Sequence, residues 1–119
     1  MLGCTEGRSA ATWVDLNFGG HQLVAHLVRG YAASASANAV DGDEVPVPHF
    51  GLAMAVEDFH ALAERVRAAG VVFQIEPRTR FLGAPGEQLT MFFHDPSGNA
   101  LEFKAMTHPE NLFAKYTVT

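Results

Sequence analysis

One cysteine, no long apolar run and no basic cluster set the first limits on this chain of 119 residues. A lone Cys4 forms no internal disulfide and suits a reducing cytosol. Nothing around it resembles the helix N-terminus or cationic setting that makes a thiol nucleophilic. No apolar stretch approaches the ~18 residues of a membrane span, and the N-terminus lacks the charged-then-apolar order of a secretion signal. The expectation is a cytoplasmic protein without a membrane partner. Eight Lys and Arg against thirteen Asp and Glu give a net charge of −5, which removes the electrostatic basis for binding nucleic acid. What is present, 48% hydrophobic and 18% charged residues, is ordinary for one compact domain.

Along the chain, Thr12–Phe18 alternates with Val14, Leu16 and Phe18 on one side, and Gly19-Gly20 separates it from a second strand-like run, His21–Val28. Two such runs around Gly-Gly predict a hairpin. Residues 29–46 have no period and are expected to form a surface linker. His49–Val56 alternates again, with Phe50, Leu52, Met54 and Val56 opposite His49, Gly51, Ala53 and Ala55. The small set, Gly51 and Ala53 above all, predicts open space beside His49 for a substrate, although close helix packing would use the same residues. Asp58 is placed to cap a helix from Phe59 to about Ala69, with Gly70 beyond its end. Val71–Ile75 is the next expected strand, and residues 76–88 the next loop. Leu89–His94 and Ala100–Ala105 then flank the turn Asp95-Pro96-Ser97-Gly98-Asn99, giving β-α-β-β-β over residues 47–105.

His49 and Glu102 are the main candidates for chemistry. A histidine and a carboxylate on neighbouring strands form half of a metal site with N and O ligands. The bland alternative is a His–Glu pair that orients a ligand without metal. Strand parity puts Lys104 on the face of Glu102, where it would counter the carboxylate or touch an anionic substrate. Arg78 and Arg80 fall in the expected loop and are placed to close over a substrate; solvated loop charge is the commoner role. His60, His94 and His108 read as surface residues. Leu112, Phe113 and Tyr116, in the tail of residues 106–119, have helical spacing.

The strand Pro48-His49-Phe50-Gly51, the β-α-β-β-β order and the ending Phe92–Phe103 together resemble the vicinal oxygen chelate superfamily of glyoxalases, bleomycin-resistance proteins and extradiol dioxygenases. The resemblance implies an α+β fold of paired βαβββ modules with a shared cleft. It makes His49 and Glu102 metal ligands, and Glu102 also the residue available as general base. It further implies that residues 1–28 are a partial first module lacking its first strand and helix, since eleven residues before Thr12 are too few for both. A truncated or naturally short form, and a homodimer covering the open sheet edge, are the corresponding expectations. His26 lies in the strand where glyoxalase-like members carry a further ligand, usually a carboxylate, and with the register uncertain by two it is expected in the site as a third metal ligand or a substrate contact, with a histidine satisfied in the sheet as the alternative; His21 has the opposite parity. The expected function is a divalent-metal enzyme (Fe, Mn, Ni or Zn) acting on a small-molecule substrate with vicinal oxygens. A metal-free binding protein of the bleomycin-resistance type, or an inactive form, is the alternative.

Overall fold

A computed structural model describes residues 1–118, which divide into one unit from Met1 to Ala32 and another from Ala33 onward. The first unit is an antiparallel meander of β1 (Thr5–Ala10), β2 (Trp13–Phe18) and β3 (His21–His26). Gly19 and Gly20 take φ of 60° and 87°, as the tight turn between β2 and β3 requires, and the Asn17 side-chain oxygen accepts the Gly20 amide at 2.8 Å. The hairpin is the one that the Gly-Gly signal predicts. Strand β1 is an addition: Thr-Glu-Gly-Arg-Ser-Ala has no apolar alternation, and all six residues are exposed.

In the second unit, residues expected to be a structureless linker hold a hairpin, β4 (Ser36–Val40) and β5 (Asp43–Val47). Its turn is Asp41-Gly42, with φ of 46° and 83°, a pair of left-handed residues that closes a two-residue hairpin. Val40 and Val45 supply its few apolar contacts. With small and polar residues elsewhere, the strands lack the alternation by which strands are usually found. A cis Val47–Pro48 bond leads into β6 (His49–Ala53). Helix α1 (Val56–Ala68), then β7 (Ile75–Arg80), β8 (Gln88–His94) and β9 (Ala100–Met106) complete a four-stranded sheet in the order β6-β9-β8-β7. β6 runs parallel to β9 and the other neighbours are antiparallel.

α1 begins a turn earlier than expected. Ala55 occupies the cap with no side-chain bond, so Asp58 is not the cap; it joins Glu57 in the first turn, where carboxylates suit the helix dipole. Phe59, Leu62, Ala63 and Val66 form the buried stripe, and Phe93 stacks on Phe103 in the core at 5.6 Å between ring centroids. β7 lies four residues later than the apolar run Val71–Ile75 suggests. It is an edge strand, and a register irregularity between Ile75 and Arg78 accommodates Pro77, which has no amide to donate. The tail forms only a 3₁₀ turn, Pro109–Asn111, rather than a helix; Leu112, Phe113 and Tyr116 are exposed, and Thr119 lies outside the described residues.

Candidate functional site

The turn between β8 and β9 fixes the register on which the site depends. Asp95 Oδ1 accepts the amides of Ser97 and Asn99 at 2.9 and 2.8 Å, and Oδ2 accepts the Asn99 side chain at 2.8 Å. Gly98 supplies the positive φ, 86°. With the turn closed in this way, Ala100 pairs with His94 and Glu102 with Phe92. Leu101 and Phe103 therefore face the helix, and Glu102 and Lys104 face the other way. The parallel pairing of β6 with β9 sets His49 at Ala100 and Gly51 at Glu102.

His49 Nε2 lies 3.0 Å from Glu102 Oε2. The other carboxylate oxygen, Oε1, accepts the Thr90 hydroxyl at 2.9 Å and lies 3.3 Å from Lys104 Nζ. Glu102 is only 7% exposed, and burial of a charge on this scale requires such partners. The His49 ring stands edge-on to Phe92 at 5.1 Å, and its Nδ1 lies 2.8 Å from the Pro46 carbonyl oxygen. A carbonyl oxygen only accepts, so Nδ1 carries a proton. Nε2 then either holds a second proton, as an imidazolium paired with the carboxylate, or offers a lone pair to a cation shared with Glu102. An imidazole whose remote N–H is anchored on a carbonyl is the usual arrangement behind a metal-binding histidine. Two donors 3.0 Å apart also match neighbouring ligands with bonds of about 2.1 Å to one ion. These two residues fit a divalent metal.

The other candidates have different roles. Gly51 has a packing reason to be small: a Cβ there would overlap the Glu102 carbonyl oxygen, because the β9 backbone approaches it. Ala53, on the edge strand β6, pairs with Lys104 of β9. Arg80 is not in a loop. It ends β7 at 3% exposure, and its Nη2 donates to the Val40 carbonyl at 2.9 Å. Its Nε lies 3.8 Å from Asp43 Oδ2; both atoms are buried and held by charge without a well-angled hydrogen bond. Arg78 reaches Asp41 and Asp43 at 3.1 Å each. Both arginines tie β7 to the β4–β5 hairpin. His26 is the last residue of β3 in the first unit, exposed and paired with Trp13, while Val24 pairs with Asp15. Among the described residues, no three His, Cys, Asp or Glu side chains converge as a metal-binding group. Thr90 was not singled out from sequence; its place two residues before Phe92 on a buried strand puts its hydroxyl on the Glu102 face.

A small sheet meander, a β-α-β-β-β unit and a buried His–Glu pair across its parallel strands define a glyoxalase-like α+β protein built from paired modules. The chain belongs to the glyoxalase/bleomycin resistance protein/dioxygenase superfamily, whose family model matches residues 14–103. A solved glyoxalase/bleomycin resistance protein/dioxygenase from Alicyclobacillus acidocaldarius is 30% identical, covering 94% of this chain and 80% of its own, with a TM-score of 0.76. The fosfomycin resistance protein FosX of Listeria monocytogenes shares the fold at 21% identity, with coverage of 93% and 79% and a TM-score of 0.63. An integron cassette protein of V. Cholerae is 25% identical, with coverage of 87% and 77% and a TM-score of 0.55. No curated protein matches. Among the described residues, no helix is long and apolar enough to cross a membrane.

Proposed function

We propose that the chain is a divalent-metal-dependent enzyme acting on a small substrate with vicinal oxygens, of lyase, isomerase or dioxygenase type. The observation that carries this reading is the 3.0 Å approach of His49 Nε2 to Glu102 Oε2, with the far ring nitrogen committed to the Pro46 carbonyl. FosX of Listeria monocytogenes has been solved with Mn(II) and sulfate, so a relative of this fold holds a divalent ion, and Fe, Mn, Ni and Zn are all compatible with an N/O pair. When bound, such an ion supplies Lewis acidity to substrate oxygens. The residues of this chain do the rest. Pro46 fixes the His49 tautomer, Thr90 and Lys104 hold Glu102 Oε1, and the Phe92 ring packs against the imidazole at 80° between ring planes. Because both Glu102 oxygens are engaged, we assign Glu102 to holding the metal rather than to moving a proton. His26 takes no part in the geometry on which this reading rests. We place the enzyme in the cytoplasm, as a homodimer.

Elemental analysis after chelator stripping and reloading with Fe(II), Mn(II), Ni(II) or Zn(II) tests the reading. The expected result is about one ion per chain, lost in His49→Ala and in Glu102→Gln. Wild-type stoichiometry in both variants would overturn it. A second reading is a metal-free small-molecule-binding protein of the bleomycin-resistance type. The direct His49–Glu102 contact favours it, since an imidazolium and a carboxylate satisfy each other without an ion. Failure of the wild type to retain any of the four metals would decide for it.

A further inference from the structure

The first unit carries a polar constellation that the His49–Glu102 reading leaves unused. Asp15 pairs with Val24 and Asn17 with Gln22, so Asp15, Asn17 and Gln22 share one face of the meander. β1 joins it through a bulge. Glu6 pairs with Leu16 and Ser9 with Val14, so β1 spends one more residue than β2 between the same two rungs. A regular strand would set Arg8 opposite Val14; the extra residue brings it beside Asp15 instead, the re-aiming for which bulges are used next to binding sites.

Arg8 Nε donates to Asp15 Oδ2 at 3.0 Å, and the Gln22 amide donates to the same oxygen at 3.4 Å. The guanidinium carbon sits 5.9 Å from the centroid of the Trp13 ring. Asp15 is 5% exposed, whereas the Arg8 side chain is 78% exposed. Only Nε is spent: neither Nη atom makes a hydrogen bond or ion pair among the described residues. A guanidinium pinned through Nε and by a ring presents its outer edge as a pre-oriented fork, the geometry that matches two oxygens of a carboxylate or phosphoryl group. A cavity of about 410 Å³, lined by Arg8, Asp15, Asn17 and Gln22 among others, opens beside it.

We propose that this cavity binds the oxyanion of a small molecule, a carboxylate or a phosphoryl group, with Arg8 as the anion-binding residue and Asp15 and Gln22 as positioning residues. The site stands on the first unit alone and needs no metal. Glu6 lines the same cavity and opposes an anion, so its charge sets a ceiling on affinity.

Trp13 is the single tryptophan, and its emission reports on Arg8. The full chain, stripped of metal, is titrated with inorganic phosphate and separately with malonate at constant ionic strength, with calorimetry in parallel. The expected result is saturable binding of at least one anion, and the stronger of the two identifies the group recognised. Arg8→Gln should weaken it about tenfold or more, and Arg8→Lys, which keeps the charge but loses the fork, should weaken it too. Glu6→Gln should tighten it. Asp15→Asn should weaken it and change the shift of the Arg8 Nε–H resonance between the free and the anion-saturated protein, a difference that a purely structural Asp15 would leave as in the wild type. Absence of saturable binding of both anions to the wild type would overturn the proposal, as would wild-type affinity in folded Arg8→Gln and Arg8→Lys. Metal retention is not read in this experiment, so the two proposals fail separately.

Discussion

At the scale of residues, the site is a chain of commitments that ends on one carboxylate. Pro46 fixes one His49 nitrogen, which directs the other at Glu102, and Thr90 fixes the orientation of Glu102 from behind. Thr90 is fully buried, so its hydroxyl has no water to turn to and its bond to Glu102 is obligatory. Thr90→Val keeps the volume and removes the donor. The expected outcome is metal affinity lowered about 10–100-fold, the usual cost of losing a supporting hydrogen bond behind a ligand. Competition against a chromophoric chelator measures it, and unchanged affinity would detach Thr90 from the proposed metal site.

At the scale of elements, the β4–β5 hairpin has few apolar contacts and is held to β7 largely by charge. Arg80 donates to the Val40 carbonyl from a buried position, and Asp43 faces both Arg80 and Arg78. Arg80→Met keeps much of the apolar stem but leaves the Val40 carbonyl without its donor and Asp43 with Arg78 alone. A loss of about 1–3 kcal/mol is expected, the cost of leaving a buried acceptor without its donor. Urea titration would read it, and a change under ~0.5 kcal/mol would contradict the role assigned to Arg80.

The β7–β8 connection has its own acid-sensitive closure. Glu87 accepts the Gly83 amide at 2.9 Å, and that bond, with a second from Thr107, holds its carboxyl below the ordinary value of 4.5. A depressed carboxyl adds stability above its unfolded value, and that stability is lost as pH falls through the lower folded value. The gap in Tm between wild type and Glu87→Gln should therefore be wider at about pH 6 than at about pH 3. Equal gaps at the two pH values would show that the Glu87 charge adds nothing.

At the scale of the whole molecule, β6 lies at the edge of the four-stranded sheet, and Phe50 on it and Val47, the last residue of β5, are 40% and 42% exposed. An edge of this kind is a ready pairing surface, and the homodimer we propose would use it. Sedimentation equilibrium at low micromolar concentration should give twice the chain mass of 12.8 kDa. A single species at 12.8 kDa would exclude the dimer under those conditions.

By itself, the sequence determined the β-α-β-β-β order, the Gly-Gly hairpin and the parity that sets Glu102 and Lys104 on one face. These follow from local rules: strand alternation, turn residues with positive φ, and helical periodicity. The superfamily was legible for the same reason, since the Asp95–Asn99 turn and its flanking strands form one continuous segment. Only the tertiary structure decided that β7 begins at Ile75, that Gly51 is small to admit the β9 backbone, and that Arg80 is a buried tie. It also decided that Thr90 and Pro46 complete the His49–Glu102 pair, and that a bulge turns Arg8 toward Asp15. Each of these depends on a partner distant in sequence or on a shift of strand register, and neither leaves a periodic trace along the chain.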